Sequence, residues 1–194
     1  MAWILYAAHG GKNHVDLAFD PDLEGAYASG SALVQDGDPP AERSLRFRAR
    51  AETTRKTVPN IWYIAERWCM DHRAKDAIEA VDPGRHIFHP LDFTMKNGEP
   101  MAGGPFFTAY FQGRVDCVDT DASLVEVVTT ATGRTRYMTK TGRPKLTVKR
   151  AEIAGRHAWY CDKMVRILML SDALHARMVA EKIKGPEFLP VAER

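Results

Sequence analysis

The most informative stretch of the chain is residues 164–191, with the sequence MVRILMLSDALHARMVAEKIKGPEFLPV. It begins with a mostly apolar run that predicts a buried strand. The Ser-Asp pair at 171–172 can accept hydrogen bonds from the free amides of a first helical turn, so we predict a helix from there to about Lys184. The Gly-Pro pair at 185–186 ends this helix, and extended structure is predicted to resume at residues 187–191.

A second stretch, residues 60–91, has the same order of elements. Its start, NIWYI, predicts a short strand, and residues 66–81 carry apolar side chains at roughly helical spacing before an Asp-Pro-Gly break. Both stretches then continue with an aromatic residue, one further residue, a proline and an aliphatic residue: FHPL at 88–91 and FLPV at 188–191. We predict an internal strand–helix–strand repeat, in which the aromatic covers the helix and the proline ends strand pairing.

Further strands are predicted around these two stretches. Residues 44–50 alternate apolar and basic side chains with a period of two, which is typical of a strand with one buried face. Residues 106–119 and 124–128 are also rich in β-forming residues, whereas residues 129–154 are rich in Thr, Gly and basic residues and predict a hairpin or excursion. The combination predicts an α+β fold with a mixed or antiparallel sheet and a few packed helices.

Length and composition favour a single folded domain. The chain has 194 residues, of which 45% are hydrophobic and 27% charged, as in ordinary globular proteins. We therefore predict one domain over residues 1–194, with a variable N-terminal part (1–43) and a larger region (44–191) that contains both stretches. The apolar start at residues 1–8 lacks the features of a signal peptide, and the three cysteines form no CxxC pair, so a cytoplasmic location is expected.

Charge is distributed unevenly, although the formal net charge is only +2. Residues 13–42, the acidic segment, contain several Asp and Glu residues and no Lys or Arg. Residues 134–150, the basic segment, contain seven Lys and Arg residues and no Asp or Glu. This asymmetry predicts either two surfaces of opposite potential or two segments that lie against each other.

Four histidines are the candidate catalytic residues: His9, His14, His86 and His89. The last two lie three residues apart in an extended segment and point to opposite faces, which is poor geometry for holding one metal ion. The loop HGGKNH at 9–14 lacks the glycine spacing of a phosphate or dinucleotide site, and neither a GxSxG nor an HExxH motif is present. We expect no enzymatic activity, no metal and no cofactor. A small enzyme with a histidine-based site is the alternative.

Other reactive side chains have ordinary structural interpretations. His72 and His175 lie among charged residues on the predicted helices, where a solvated position is expected. Most of the three cysteines, Cys69, Cys117 and Cys161, are expected to be buried and unreactive, because no electropositive and exposed surrounding is evident for them.

The basic segment is the candidate for nucleic-acid binding. Tyr137 is interleaved among basic residues at 134, 136 and 140, as in some nucleic-acid-binding segments. The overall charge balance is not strongly basic and no recognised motif is present, so a solvated hairpin is favoured. Binding of nucleic acid through residues 134–150 stays open as an alternative function.

Three sets of residues resemble one protein family in their order and spacing. They are NIWYIAER at 60–67 followed by HIFHPL at 86–91, FQGRVDCVD at 111–119, and ILMLSDAL at 167–174 followed by IKGPEFLPV at 183–191. Over about residues 44–191 the chain is similar to the eleventh catalogued family of immunity proteins from bacterial polymorphic-toxin systems. The shared residues belong to caps, turns and core aromatics, so they are structural.

The resemblance implies an α+β protein without catalytic activity, which binds and neutralises a toxin encoded alongside it, often a nuclease-type toxin. The expected partner is therefore a cognate toxin domain rather than a membrane or a nucleic acid, and the expected mechanism is occlusion. The resemblance implies no particular set of toxin-contacting residues.

The toxin-facing surface is predicted on the acidic segment. A toxin that attacks nucleic acid presents a basic cleft to phosphates, so carboxylates offered to the same cleft increase the rate and selectivity of binding. The glycines and prolines of the segment indicate an exposed loop, where binding residues tend to lie. The predicted toxin-binding residues are Asp16, Asp20, Asp22, Glu24, Asp36 and Asp38.

Overall fold

The structure is a computed structural model that describes residues 1–6, 17–19, 48–51, 57–64, 67–164 and 167–194. The chain forms two compact units. The first unit consists of Met1–Tyr6, Gly113–Ala176 and Phe188–Arg194, and the second unit of Ala7–Gln112 and Arg177–Glu187. The single-domain organisation expected from the length of the chain stays a prediction.

The described residues form mostly strands, with short helices. The strands are β1 (Ala2–Tyr6), β2 (Leu17–Phe19), β3 (Arg48–Ala51), β4 (Ile61–Ile64), β5 (Arg67–Asp71), β6 (Ile87–Thr94), β7 (Phe106–Tyr110), β8 (Arg114–Val115), β9 (Val125–Thr129), β10 (Thr135–Thr139), β11 (Thr147–Val148), β12 (Ala158–Cys161), β13 (Leu168–Ser171) and β14 (Glu187–Glu193). The helices are α1 (His72–Glu79), α2 (Arg150–Ile153) and α3 (Asp172–Ala180). Mixed and antiparallel sheets with short helices agree with the predicted α+β class.

Each unit contains one six-stranded sheet. In the first unit the order is β11-β14-β1-β13-β12-β8, and a separate hairpin is formed by β9 and β10. In the second unit the order is β2-β3-β6-β7-β5-β4. Most pairs are antiparallel, whereas β11 with β14, β12 with β8 and β3 with β6 are parallel. The strand β9 confirms the strand predicted at 124–128, and β10 lies in the region 129–154 that was predicted to form a hairpin or excursion.

The two six-stranded sheets share one arrangement of strands around a helix. In one sheet the segment β13–α3–β14 encloses β1, and in the other sheet the segment β5–α1–β6 encloses β7. The flanking strands also correspond, because β12 and β4 pair antiparallel with β13 and β5, while β11 and β3 pair parallel with β14 and β6. Equivalent cross-strand pairs are Trp159–Met169 and Trp62–Cys69, and Trp3–Leu170 and Phe107–Met70. These features favour the predicted repeat, which stays a prediction.

The aromatic residues of FHPL and FLPV contact the helices, as predicted. The Nζ atom of Lys75 in α1 lies 5.5 Å from the ring centroid of Phe88, and the rings of His175 in α3 and Phe188 are 4.9 Å apart. The prediction that the prolines end strand pairing is wrong. Pro90 pairs with Phe107 inside β6, and pairing of β6 with β3 starts only at Asp92. On the β3 side, no strand is therefore present at Pro90 to accept the hydrogen bond that proline cannot donate.

The helix predicted over residues 66–81 is in part wrong. Strand β5 occupies its first turns, and α1 begins only at His72. All five residues of β5 are buried, and a strand covered on both faces shows no alternation that distinguishes it from a buried helix. Asp71 marks the true start of the helix, since its carboxylate accepts a hydrogen bond from the N–H of Ala74 (3.0 Å).

The other helix prediction is confirmed at its start. The Oγ atom of Ser171 accepts a hydrogen bond from the N–H of Leu174 (3.2 Å), and α3 follows directly. The helix ends at Ala180 rather than near Lys184. The strand predicted before this helix is confirmed at residues 168–171. The strand predicted over residues 44–50 is confirmed at 48–51. Some of the other residues of these two predicted strands lie outside the described ranges.

Candidate functional site

The predicted toxin-binding residues lie outside the residues that the structure describes. The same holds for two of the candidate histidines, His9 and His14. The six acidic residues concerned are Asp16, Asp20, Asp22, Glu24, Asp36 and Asp38.

His86 is a buried structural residue. Its side chain is 0% exposed, and its Nδ1 atom accepts a hydrogen bond from the backbone N–H of Gln112 (3.2 Å). Its Nε2 atom lies 3.1 Å from Oδ2 of Asp82 and therefore carries the proton that it donates to this carboxylate. Burial lowers the pKa of His86, an effect that outweighs the opposing influence of Asp82. A histidine–carboxylate pair without access to solvent holds the turn before β6 in place and offers no general base to a substrate.

The other described histidines also have packing roles. His175 stacks on the indole of Trp3 with ring centroids 3.7 Å apart, and Nε1–H of Trp3 donates to Asp172 (2.9 Å). Burial lowers the pKa of His175. The prediction that this residue is a solvated surface histidine is therefore wrong, because β1 supplies an aromatic ring beside it. His72 and His89 are half-buried at the start of α1 and within β6.

All three cysteines are buried free thiols, in agreement with the prediction for most of them. Two of them meet in the core of the first unit, where the sulfur atoms of Cys117 and Cys161 are 3.6 Å apart. The hydrogen bond with Cys117, together with burial, raises the pKa of Cys161. Burial likewise raises the pKa of Cys69, which keeps this thiol in its unreactive protonated form.

A metal ion bound within the described ranges of the chain would need several side-chain ligands that converge on it. Within those ranges there is no group of three or more His, Cys, Asp or Glu side chains that could hold a metal ion. Of the described histidines, His86 is bonded to Asp82 inside the protein and His175 is stacked on Trp3.

Tyr137 anchors the β9–β10 hairpin to the body of the first unit. Its backbone N–H donates to the carbonyl oxygen of Lys163 (2.8 Å), and its hydroxyl donates to Asp116 (3.4 Å). The ammonium group of Lys163 lies 5.5 Å from the centre of the Tyr137 ring and donates to Asp116 (2.5 Å), which raises the pKa of Lys163. With only 9% of Tyr137 exposed, its ring is not available to stack on a base.

The hairpin and the residues beside it carry exposed apolar and basic side chains on both faces. Val127 lies on the same face as its partner Tyr137, and Met138 lies on the opposite face. Val127 is 56% exposed, Met138 51% and Leu124, the residue before β9, 47%. Lys140 and Lys145 are also exposed. Together with Arg134 and Arg143, which are exposed as well, they give this part of the chain a positive charge.

The comparison with protein-family models decides the assignment. Residues 14–193 match the model described as Immunity protein family (Imm11). The chain belongs to the Immunity protein family (Imm11). The match is longer than the resemblance noted over residues 44–191, because it includes most of the acidic segment. A comparison with curated proteins found no match.

The residues that carry the likeness to Imm11 hold the second unit together. The side-chain amide of Asn60 donates to Asp71 (2.6 Å), and its Oδ1 atom accepts from the backbone N–H of Lys184 (2.8 Å). Gly185 has a positive φ of 133°, and a Cβ atom there would lie 1.9 Å from the carbonyl oxygen of Ile61. The Asn at the start of one Imm11 stretch and the Gly-Pro pair of the other are thus parts of one structural junction.

Sequence reasoning missed several pairings in this Imm11 chain. Asp82 and His86 are separated by a Pro-Gly turn, and because the chain is neither helix nor strand there, no periodic pattern of side chains predicts their contact. Asp116 and Lys163 are 47 residues apart, and nothing in the sequence near either residue indicates the other.

Among the described residues, no helix has the length and apolar character needed to cross a membrane.

Proposed function

We propose that this protein binds and neutralises a cognate bacterial toxin, a nuclease-type effector of a polymorphic-toxin system, by non-catalytic occlusion. Membership of the Imm11 family carries the proposal. The burial of His86 and the absence of a metal-binding cluster among the described residues support a binding role over a catalytic one. The proposed location is the cytoplasm, where the toxin would meet its substrate.

The acidic segment is proposed as the surface that meets the active cleft of the toxin. A nuclease binds phosphates through basic residues, and carboxylates presented to such a cleft compete with nucleic acid and steer association. The segment has no Lys or Arg of its own to cancel this field. The residues proposed to face the toxin are Asp16, Asp20, Asp22, Glu24, Asp36 and Asp38.

Co-expression tests the proposed function. The first step is to identify, in the genes beside this one, a large secreted protein with a variable C-terminal domain. That domain is then expressed in a bacterial host, with and without the chain. Growth should be lost with the toxin domain alone and restored by the chain in the same cell. Continued loss of growth, with both proteins present in soluble form, would contradict the proposal.

A charge variant tests the role of the acidic segment. Replacing Asp20, Asp22, Asp36 and Asp38 with asparagine should lower the association rate with the toxin domain about tenfold at low salt, because long-range attraction is lost. The rate should also lose most of its dependence on salt. The matched control removes four exposed charges elsewhere, with the changes Asp76→Asn, Asp121→Asn, Glu152→Gln and Asp162→Asn. Equal rates for the two variants would move the contact to another surface.

The shared arrangement of β13–α3–β14 and β5–α1–β6 also supports a proposal about the fold. We propose that the two segments are copies of one strand–helix–strand unit, and that the two compact units act together as one domain. Proteolysis and melting test the second part, since one domain should unfold in a single cooperative transition. Two separate transitions would contradict it.

A further inference from the structure

The β9–β10 hairpin has an outer edge whose backbone groups point away from its own partner strand. Tyr137 lies opposite Val127, yet its N–H donates to Lys163 rather than across the hairpin. Bonded and non-bonded pairs alternate in an antiparallel ladder, so the N–H and C=O groups of Val127 and Thr129 face outward from β9. The bonds from Lys140 to Leu124 and from Thr130 to Arg134 fit the same alternation.

Nothing in the described part of the chain pairs with this edge. Within those residues, β10 is the only strand beside β9, and no backbone hydrogen bond to Val127 or Thr129 is formed from another segment. Natural proteins usually protect such an edge with proline, lysine or a bulge, because an open strand is a template for pairing. The sequence of β9, VEVVT, has no proline and no lysine and consists mainly of β-branched residues. The edge is therefore suited to receive another strand.

The side chains around the edge indicate what kind of strand fits. Five large apolar side chains are exposed among the described residues, and three of them, Leu124, Val127 and Met138, lie on the hairpin or directly before it. The hairpin strands carry one acidic residue, Glu126, whereas exposed basic residues occur at the hairpin turn and in the loop after β10. An added strand would therefore place apolar side chains beside Val127 and acidic side chains near the basic segment.

We propose that the outer edge of β9 receives an extended strand of the toxin domain, with Asp or Glu residues alternating with apolar ones. The proposal rests on the proposed function and adds the partner segment and its binding mode. Main-chain hydrogen bonds to Val127 and Thr129 supply the affinity, and the charges of the basic segment select the sequence of the strand. A nucleic acid fits less well, because Tyr137 is covered by Lys163 and the edge offers peptide groups rather than stacking surfaces.

Two substitutions at one position separate the backbone contribution from the side chain. Val127→Pro removes the outward N–H and leaves the bonds between β9 and β10 intact, whereas Val127→Thr keeps the N–H and the branched shape. Loss of one buried main-chain bond at a protein interface should weaken binding of the toxin domain about 10-fold to 100-fold for Val127→Pro. Val127→Thr should weaken binding much less than Val127→Pro, because threonine keeps the main-chain bond and the branched shape and exchanges one methyl group for a hydroxyl.

Amide hydrogen exchange on the unmodified protein gives an independent measurement. Binding of the toxin domain should slow exchange at Val127 and Thr129, whose N–H groups have no backbone partner among the described residues. Exchange at Tyr137 should change little, because its N–H is already bonded to Lys163. Slower exchange at Val127 and Thr129 with normal binding of Val127→Thr supports the proposal. Unchanged exchange together with normal binding of Val127→Pro overturns it and leaves the proposed function standing.

Synthetic peptides test the edge if the toxin domain does not bind at all, a result that would count against the proposed function alone. A seven-residue peptide that alternates Val and Glu should slow exchange at Val127, and a peptide that alternates Val and Lys should not. Failure of the acidic peptide would overturn the proposal. Stronger protection of Val127 by a 20-nucleotide single-stranded DNA than by the peptide would also overturn it, in favour of nucleic-acid binding.

Discussion

Replacing Gly185 with alanine should destabilise the second unit strongly. The residue has a φ of 133°, which L residues rarely adopt, and the added Cβ would lie 1.9 Å from the carbonyl oxygen of Ile61 and 2.9 Å from Cβ of Pro59. Backbone strain of this kind costs about 1–3 kcal/mol. The clash also moves the chain away from the bond between the N–H of Ile61 and the oxygen of Lys184 (3.1 Å), which adds about 1 kcal/mol.

The expected loss for Gly185→Ala is therefore about 2–4 kcal/mol in the free energy of unfolding. For a chain of this size that corresponds to a fall in melting temperature of about 4–16 °C. The assay is thermal unfolding followed by circular dichroism, with Gly142→Ala as the matched control, because a Cβ at Gly142 would meet nothing within 4 Å. If Gly185→Ala melts within about 1 °C of Gly142→Ala, the junction around Asn60 does not hold the second unit together.

Three further predictions concern the cap, the buried histidines and the thiols. Ser171→Ala should lower the free energy of unfolding by about 1 kcal/mol in urea titrations, and Ser171→Asp should recover most of it, since Asp71 caps α1 in the same way. Burial lowers the pKa of His86 and His175 in the folded protein, so the free energy of unfolding should be highest above the unfolded-state pKa of about 6.5 and fall as the pH drops below it. The variant His86→Gln should show a weaker dependence on pH between about 7.5 and 5.5. An equally steep profile for this variant would refute the reasoning. Cys69, Cys117 and Cys161 should all resist a thiol reagent in the native protein and all react in denaturant; rapid native labelling of any of them would contradict their burial.

Local signals in the sequence predict the parts of the fold that depend on neighbouring residues. Ser171 caps a helix because its hydroxyl reaches an amide three residues later. The Gly-Pro pair at 185–186 does not end this helix, which ends at Ala180 and is followed by Lys182 with a positive φ of 56°. Strand β5 escapes prediction because burial on both faces removes the alternation that marks a strand. Pro90 and Pro190 are tolerated inside strands because each precedes the residue at which the parallel neighbour starts to pair, which is Asp92 for β3 and Ala192 for β11.

The candidate site depends more on contacts between distant residues. Tyr137 is buried by its contacts with Lys163 and Asp116. Because its N–H bonds to Lys163, Tyr137 and Val127 are a non-bonded pair of the hairpin, so the N–H and C=O groups of Val127 point outward. Neither can be predicted from the spacing of basic residues in the segment 134–150. The pairing of Cys117 with Cys161 across 44 residues is hidden for the same reason. The acidic segment remains a prediction from charge alone.

Titration of the toxin's activity with the purified chain tests the central claim most directly. If the chain neutralises by occlusion, nucleic-acid cleavage by a fixed amount of the toxin domain should fall linearly and reach zero at one equivalent of chain, and the toxin should be recovered intact and active after denaturation and separation. Neutralisation by much less than one equivalent, or recovery of a chemically altered toxin, would contradict occlusion and point to a catalytic role for the chain.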